Sequence, residues 1–327
     1  MSRQVLITGA GGFIGRRLSH RLERQGIRVR SLVRQGDHGL IPGNLGEVRI
    51  TGRLNETTDW AEHLEGCDAV VHLAARIPKK RPGESDEFSS YWQDNVILTS
   101  ALTHAAIRSG VKRLVFLSSI KAREVEDISP VSPPVAGQVV SAGDCYAITK
   151  AAAEAEIRSI CSGSMLEYVV IRPPLVFGPG VGGNFALLIR LVASGLPLPF
   201  AGINNRRSYI YLDNLVDFII RCLDHPAAAG EIFPLADAQD LSTPELIIEI
   251  ARALKVRPRL FTLPLPVLHL AGRLTGMGEQ LERLCGSSRI ESIEAIRKLD
   301  WCQSVSLEQG IARTVIGDGE TGGESHG

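Results

Sequence analysis

Tyr146 and Lys150 lie four residues apart in the run Cys145-Tyr146-Ala147-Ile148-Thr149-Lys150. On a helix, positions i and i+4 share one face. A free tyrosine has a pKa of ~10 and exchanges protons poorly at neutral pH. An adjacent ammonium favours the phenolate and lowers that value. Such a phenol can pass a proton to or from a substrate oxygen. The spacing by itself also fits an ordinary solvated helix pair. A second element lies upstream: Leu114-Val115-Phe116-Leu117-Ser118-Ser119 is an apolar strand ending in two hydroxyls. The C-terminal ends of strands in open α/β sheets are where ligands bind, so one of these serines could hydrogen-bond the reacting oxygen. Ser119 precedes Tyr146 by 27 residues.

The chain opens Val5-Leu6-Ile7-Thr8-Gly9-Ala10-Gly11-Gly12-Phe13-Ile14-Gly15, with Gly9, Gly12 and Gly15 spaced G-x-x-G-x-x-G between a strand and a helix. In that context glycines serve a tight turn (Gly9), close approach of a pyrophosphate to the backbone (Gly12) and close packing of helix on sheet (Gly15). The helix start, at Phe13 and Ile14, offers free N–H groups and a positive dipole end to phosphates. A dinucleotide is the ligand these features suit, and its nicotinamide would be the hydride partner of the Tyr146 chemistry. Readers of NAD place an acid at the end of the second strand. Here Val29-Arg30-Ser31-Leu32-Val33-Arg34 has no acid at Val33, and Arg34 follows it. A guanidinium suits a 2′-phosphate, so NADP(H) is favoured and NAD(H) remains possible.

These residues need a scaffold. Strands are expected at Val5–Thr8, Val29–Val33, Val48–Thr51, Ala69–Leu73, Leu114–Ser118 and Tyr168–Ile171. Helical patterns fall between them at Phe13–Gln25, Trp60–Glu65, Phe88–Ser109 and Ala147–Cys161. The alternation predicts βαβ units. The fold class is α/β: a Rossmann-type, doubly wound parallel sheet with a smaller C-terminal α+β domain. The expected division is 1–172 for dinucleotide binding and 173–316 for substrate, with some segments returning to the first domain. Later helices are expected at Phe185–Ser194, Leu212–Asp224, Pro244–Leu254 and Ser292–Leu299, and residues 317–327 read as a disordered tail.

Bulk features narrow the function. The 327 residues carry 36 Lys+Arg and 36 Asp+Glu, a balance that argues against general nucleic-acid binding. Cys67, Cys145, Cys161, Cys222, Cys285 and Cys302 form no C-x-x-C pair and read as buried thiols of a reducing, cytoplasmic compartment. The eight histidines make no metal-binding pattern, so no metal is expected. Met1 runs straight toward a strand with no charged-then-apolar leader. No stretch is apolar for the ~18–20 residues a span needs, so no integral membrane segment is expected. Leu260–Leu274 is the most apolar segment, interrupted by Pro264, Pro266 and Arg273, and is expected to be a core helix or a substrate-side lid.

With these motifs in order, the sequence resembles the short-chain dehydrogenase/reductase superfamily, in its extended branch that modifies nucleotide sugars. The likeness spans nearly all of residues 3–315, and rests on TGAGGFIG, VVHLAAR, FLSSIKA, YAITK, IRPPLVFGPG and RRSYIYLDNL. The resemblance implies Ser119, Tyr146 and Lys150 as a catalytic trio, the second serine of the pair matching the family position. It implies that Leu73, Ala74 and Ala75 line the cofactor, that Lys150 also holds the nicotinamide ribose, and that Pro173 lies beside the carboxamide. Asn184 and Arg207 would contact the nucleotide sugar, Arg207 at the diphosphate. The chain has Gly52-Arg53-Leu54 where the branch commonly has Gly-Asp-Leu, which places one more cation on the ribose side. Ile120-Lys121-Ala122-Arg123 lacks the Tyr-Gly ending usual in 4-epimerases and resembles enzymes acting on N-acetylated, deoxygenated hexoses of surface polysaccharides. The Asp-Glu step of dehydratases is absent.

The expected activity is hydride chemistry at C4 of a nucleotide-activated hexose, favoured as an NADPH-dependent 4-keto-reductase, with a 4-epimerase holding its NAD tightly as the alternative. A steroid- or flavonoid-type reductase and a non-catalytic NADP-binding sensor are further alternatives. The former has no need of Arg207, and the latter usually lacks the Tyr–Lys pair. The resemblance also implies a homodimer through the helices around Phe88–Ser109 and Ala147–Cys161, with Ile97, Ala101 and Ala105 on an apolar face.

Overall fold

A computed structural model describes residues 3–35, 46–78, 88–126, 141–274 and 278–317. The chain divides into two compact units. The first comprises Met1–Pro173, Val216–Pro234 and Ile293–Trp301; the second comprises Pro174–Leu215, Leu235–Ser292 and Cys302–Gly327.

The elements run β1 (Gln4–Thr8), α1 (Phe13–Arg24), β2 (Arg28–Arg34), β3 (Glu47–Thr51), α2 (Trp60–Leu64), β4 (Ala69–His72), α3 (Phe88–Trp92), a π-helical turn Gln93–Ile97, α4 (Leu98–Arg108), β5 (Arg113–Leu117), α5 (Lys121–Glu126), α6 (Ala142–Cys161) and β6 (Glu167–Arg172). They continue with β7 (Leu175–Phe177), α7 (Gly183–Ala193), β8 (Tyr209–Tyr211), α8 (Leu212–Asp224), a 3₁₀ turn Pro226–Ala228, β9 (Glu231–Pro234), α9 (Thr243–Ala253), α10 (Leu265–Leu274), α11 (Gly278–Cys285), α12 (Ile293–Leu299) and α13 (Leu307–Ile316).

The first unit holds a seven-stranded sheet in the order β3-β2-β1-β4-β5-β6-β9, every pair parallel. This is the Rossmann-type sheet expected from the sequence. β1, β4 and the first four residues of β5 are buried throughout, as strands covered on both faces must be. Leu6, Val70, Leu114, Phe116 and Val170 form its core with Leu98, Leu102 and Ala153 from the helices. The strand order reverses between β1 and β4, which begin on opposite sides of a topological switch point.

The helices begin where sequence chemistry lets them. The Ser141 side chain accepts from the Asp144 N–H and starts α6 ahead of the expected Ala147. Capping boxes, Ser242 with Glu245 and Ser306 with Gln309, open α9 and α13. In the second unit β7 and β8 pair in parallel, and Phe177, Phe185, Tyr209, Tyr211, Ile250 and Ile311 form a separate core. Gly310 lets α13 press on that core, for a Cβ there would come within 2.8 Å of the Tyr211 ring.

Several expectations change. Leu260–Leu274 is not a core helix: within α10 the Leu268 side chain is buried, while Leu265, Val267, Leu270 and Leu274 are exposed. Cys302 is exposed on the loop after Trp301 and Cys285 is half-buried; the other four thiols are buried. Of the residues cited for a homodimer face, Ala105 belongs to the first unit's own core and Ala101 packs against it, while Ile97 is half-buried. The expected tail lies outside the described residues, apart from Gly317, which closes α13 at φ 84°. No described helix is long and apolar enough to cross a membrane. Among the described residues no group of His, Cys, Asp or Glu is placed to hold a metal ion.

Candidate active site

A cleft of ≈ 410 Å³ runs over the switch point, lined wholly by the first unit. Gly9, Gly12, Phe13, Ile14, Gly15, Arg34, Leu73, Ala74, Ala75, Tyr146 and Lys150 all line it. Leu32, Thr51, Leu54, Ile77 and Asp94 also line it and were not singled out from sequence; of the serine pair, Ser118 lines it and Ser119 does not.

The turn at its floor requires glycine. Gly9 has φ 71°, and an added Cβ would lie 2.8 Å from the Ala74 nitrogen at the end of β4. Gly15 gives a different reason from the one expected. Its Cβ would meet the Gly9 carbonyl oxygen at 2.3 Å and the Ala10 Cα at 2.7 Å, so it brings α1 onto the turn itself rather than onto the sheet. Gly12 caps α1 without a side-chain bond, and the first turn holds no acid. The helix therefore presents free N–H groups and an uncompensated positive end to the cleft. These features fit a dinucleotide pyrophosphate.

At the other end of the cleft, Tyr146 and Lys150 lie on one face of α6. The Tyr146 phenol hydrogen-bonds Ser119. Burial pushes the phenol up to about 12, with the Ser119 bond pulling the other way. This reverses the expected lowering by Lys150: burial raises the phenol, and the opposing influence comes from Ser119 rather than from the amine. Lys150 Nζ donates to the Leu117 carbonyl at 2.7 Å and sits 3.9 Å from the Phe116 ring centroid. Burial drives its pKa down to about 7, against the raising effect of Glu154.

The two serines separate by role. Ser118 donates to the buried carboxylate of Glu154, which also takes the Arg172 guanidinium, with Arg172 Nε 3.0 Å from each oxygen. Ser119, its neighbour, faces the phenol. Sequence reading missed Glu154 and Arg172. Their signal was an acid one turn beyond Lys150, on the Tyr146–Lys150 face of an Ala-rich run, and a lone cation ending an apolar strand.

A further buried set lies beneath. His72 Nδ1 is 2.6 Å from Thr8 Oγ1 and its Nε2 is 3.0 Å from Thr99 Oγ1. Burial first, then the Lys150 charge, lowers His72 to about 3, which keeps it neutral. The π turn aims Asn95 inward, where its side chain accepts from the Arg76 N–H at 2.7 Å and donates to Thr149 at 3.0 Å.

Arg34 is exposed at the cleft edge, with no ion pair among the described residues. Arg53, expected as a second cation on the ribose side, is tied to Asp94 at 2.7 Å, and Asp94 also holds Arg76 at 3.0 Å. One carboxylate is thus shared by two guanidiniums, and the cluster keeps a net positive charge. Pro173 is buried; its carbonyl accepts from the Ile120 N–H at 3.0 Å, and it does not line the cleft. Asn184, in the first turn of α7, and Arg207 belong to the second unit. Arg207 Nη1 donates to the Gly286 carbonyl at 3.0 Å and its guanidinium hydrogen-bonds Tyr209, whereas Arg206 pairs with Glu245.

The parallel sheet, glycine turn and Tyr–Lys pair define an oxidoreductase-type nucleotide enzyme of the short-chain dehydrogenase/reductase class. The profile of the NAD dependent epimerase/dehydratase family matches residues 5–236, and the chain belongs to that family. It is 37% identical over 321 residues to a UDP-glucose 4-epimerase of Vibrio cholerae, covering 96% of this chain and 95% of that protein. It is 26% identical to an N-acetyl-alpha-D-glucosaminyl-diphospho-ditrans,octacis-undecaprenol 4-epimerase of Escherichia coli O157:H7, over 96% and 95% of the two chains. Its fold matches the UDP-glucuronic acid 4-epimerase of Bacillus cereus solved with UDP-glucuronic acid and NAD, at TM-score 0.72 and 20% identity, covering 96% of this chain and 98% of that one.

Proposed function

We propose that this enzyme is a nucleotide-sugar 4-epimerase, using Ser119, Tyr146 and Lys150 on a dinucleotide held by the Gly9–Gly15 turn. The observation that carries the reading is one cleft lined both by the glycine turn and by Tyr146 and Lys150, with the phenol bonded to Ser119. The 37% identity to a UDP-glucose 4-epimerase across nearly the whole chain turns the preference away from the reductase favoured by sequence alone.

The dinucleotide, when bound, supplies the acceptor and donor of hydride. Tyr146 Oη takes the proton of the substrate C4 hydroxyl as C4 gives up hydride, and returns it to the same oxygen when hydride comes back to the opposite face of C4. Ser119 holds the same oxygen through both steps. A phenol at about 12 is a reluctant base, so a nearby positive charge must favour the phenolate; Lys150, once protonated, and an oxidised nicotinamide both provide one. Lys150 also holds the ribose hydroxyls, and Leu73, Ala74 and Ala75 form the wall beside them. Asn184 and Arg207 are the substrate contacts we assign in the second unit, which we read as the substrate domain.

A second reading rests on Arg34. A guanidinium at the end of β2, in no ion pair among the described residues, suits a 2′-phosphate, which favours NADPH and a net 4-keto-reductase. One experiment separates the two. The purified enzyme is incubated with UDP-glucose and no added cofactor, and then with a 4-keto-hexose nucleotide and NADPH or NADH. Formation of UDP-galactose without net consumption of reduced cofactor supports the epimerase. Stoichiometric loss of NADPH absorbance with the ketone, and no interconversion, overturns it in favour of the reductase.

A further inference from the structure

Between Ile250 and Gly278 the sequence contains Arg252, Lys255, Arg257, Arg259 and Arg273 and no Asp or Glu, in a chain whose net charge is zero. The same stretch carries exposed apolar side chains at Phe261, Leu265, Val267, Leu270 and Leu274. A run of cations with no acid, interleaved with uncovered large hydrophobics, is unusual for an enzyme surface.

The geometry of α10 sorts these residues. Val267, Leu270 and Leu274 stand at i, i+3 and i+7, one stripe of the helix. They are 48%, 58% and 80% exposed. Leu268 and Gly272, at i+1 and i+5, face the other way and are buried. Gly272 is pressed against α11, where a Cβ would lie 2.4 Å from the Leu281 side chain. The inner face is therefore fixed by α11, and the outer stripe is held away from the second unit's own core. Beside it, Leu198 N donates to the Arg259 carbonyl at 2.8 Å and Phe261 N donates to the Leu198 carbonyl at 3.0 Å. That pairing sets Phe261 and its flanking Arg259 on the same exposed segment. Arg252 is paired with Glu249, whereas Lys255, Arg257, Arg259 and Arg273 make no ion pair among the described residues.

We propose that the second unit docks on an anionic phospholipid surface, with Val267, Leu270 and Leu274 entering the headgroup–acyl boundary and Arg257, Arg259 and Arg273 meeting the lipid phosphates. The helix is too short to span, but an apolar stripe flanked by arginines is the pattern of a helix that lies in the interface plane. Charge decides the occupant: Lys255, Arg257, Arg259 and Arg273, none in an ion pair among the described residues, complement anionic headgroups, and would repel a second copy of the same surface. The docking is independent of the C4 chemistry proposed above.

Flotation of the full-length protein with vesicles tests this. Vesicles of three parts phosphatidylcholine to one part phosphatidylglycerol should carry the protein up, and pure phosphatidylcholine should carry far less. Binding should fall by about tenfold when salt rises from ~0.1 to ~0.5 M, because the headgroup attraction is screened. Leu270→Glu with Leu274→Glu should lose at least about tenfold in partitioning, with turnover of soluble substrate unchanged. Arg257→Ser with Arg259→Ser, which leaves the apolar stripe intact, should abolish the preference for anionic vesicles. Absence of flotation on anionic vesicles overturns the proposal, as does flotation of either variant equal to the parent's. So does light scattering that shows a dimer which the Leu270/Leu274 variant converts to monomer, since the stripe would then be a contact between copies.

Discussion

Lys150 and Glu154 stand one turn apart on α6, both buried, and they turn to different partners. The amine donates to the Leu117 carbonyl at 2.7 Å, while the carboxylate holds Arg172 and Ser118. Burial wins over the Glu154 field and lowers Lys150 to about 7 from 10.5.

This has a pH consequence of definite sign. Between about 7 and 10.5 the unfolded chain holds a proton on Lys150 that the folded chain has released. Stability from this group therefore rises with pH across that window and is least below it. Lys150→Met removes the titration. The variant's Tm relative to the parent should be highest near pH ~6 and decline toward pH ~9.5 in thermal melts; a Tm difference constant over that range contradicts the assignment.

Glu154→Gln removes one member of a buried ion pair and leaves the Arg172 guanidinium without its counter-charge. The expected loss is about 3–5 kcal/mol in urea unfolding, larger than for the exposed Arg252–Glu249 pair, where Glu249→Gln should cost under ~1 kcal/mol. Equal losses at the two sites would show that the buried pair is not the stronger constraint.

Tyr146→Phe keeps the ring and removes the oxygen that Ser119 holds. Turnover should fall by about two to four orders of magnitude, with dinucleotide affinity by fluorescence titration unchanged. Retained turnover would assign the proton transfer to another group.

Gly15→Ala sets a methyl 2.3 Å from the Gly9 carbonyl oxygen, so the turn must open. Dinucleotide Kd should rise by at least about tenfold, or ~1.4 kcal/mol. Gly182→Ala is the control: its Cβ meets nothing within 4 Å and its φ is −104°, so its Kd should match the parent. A Gly15→Ala enzyme with parental affinity would remove the turn from the binding site.

The parts of this structure that sequence reading reached are those with a local cause. Gly9, Gly12 and Gly15 announce a turn because only glycine tolerates those contacts, and Tyr146 and Lys150 announce a shared helix face by their spacing alone. Six of the seven strands of the parallel sheet followed from apolar runs alternating with amphipathic ones; β9, four residues ending in proline, escaped, as did β7 and β8 at three residues each. What escaped in the site depends on chain segments distant in sequence. Arg172 meets Glu154 only once β6 lies under α6, and Arg53 is tied to Asp94, 41 residues away. The direction of the Tyr146 shift was misjudged for the same reason: spacing reveals the neighbour, whereas enclosure comes from the whole fold. The exposure of α10 was hidden likewise, since an apolar count cannot say which face its neighbours cover.

The π turn at Gln93–Ile97 accommodates one residue more than an α-helical turn would. Upstream it points Asn95 at the Arg76 backbone, and downstream it delivers Leu98, Leu102 and Ala105 to the hydrophobic interior. A uniform α-helix could satisfy one of these ends but not both, because losing that residue rotates everything after it by about 100°. A single in-frame codon deletion in this short window would thus swing Leu98 and Leu102 toward solvent. Lineages of this enzyme should accept almost any substitution at Gln93 more readily than a change in the number of residues between Trp92 and Leu98.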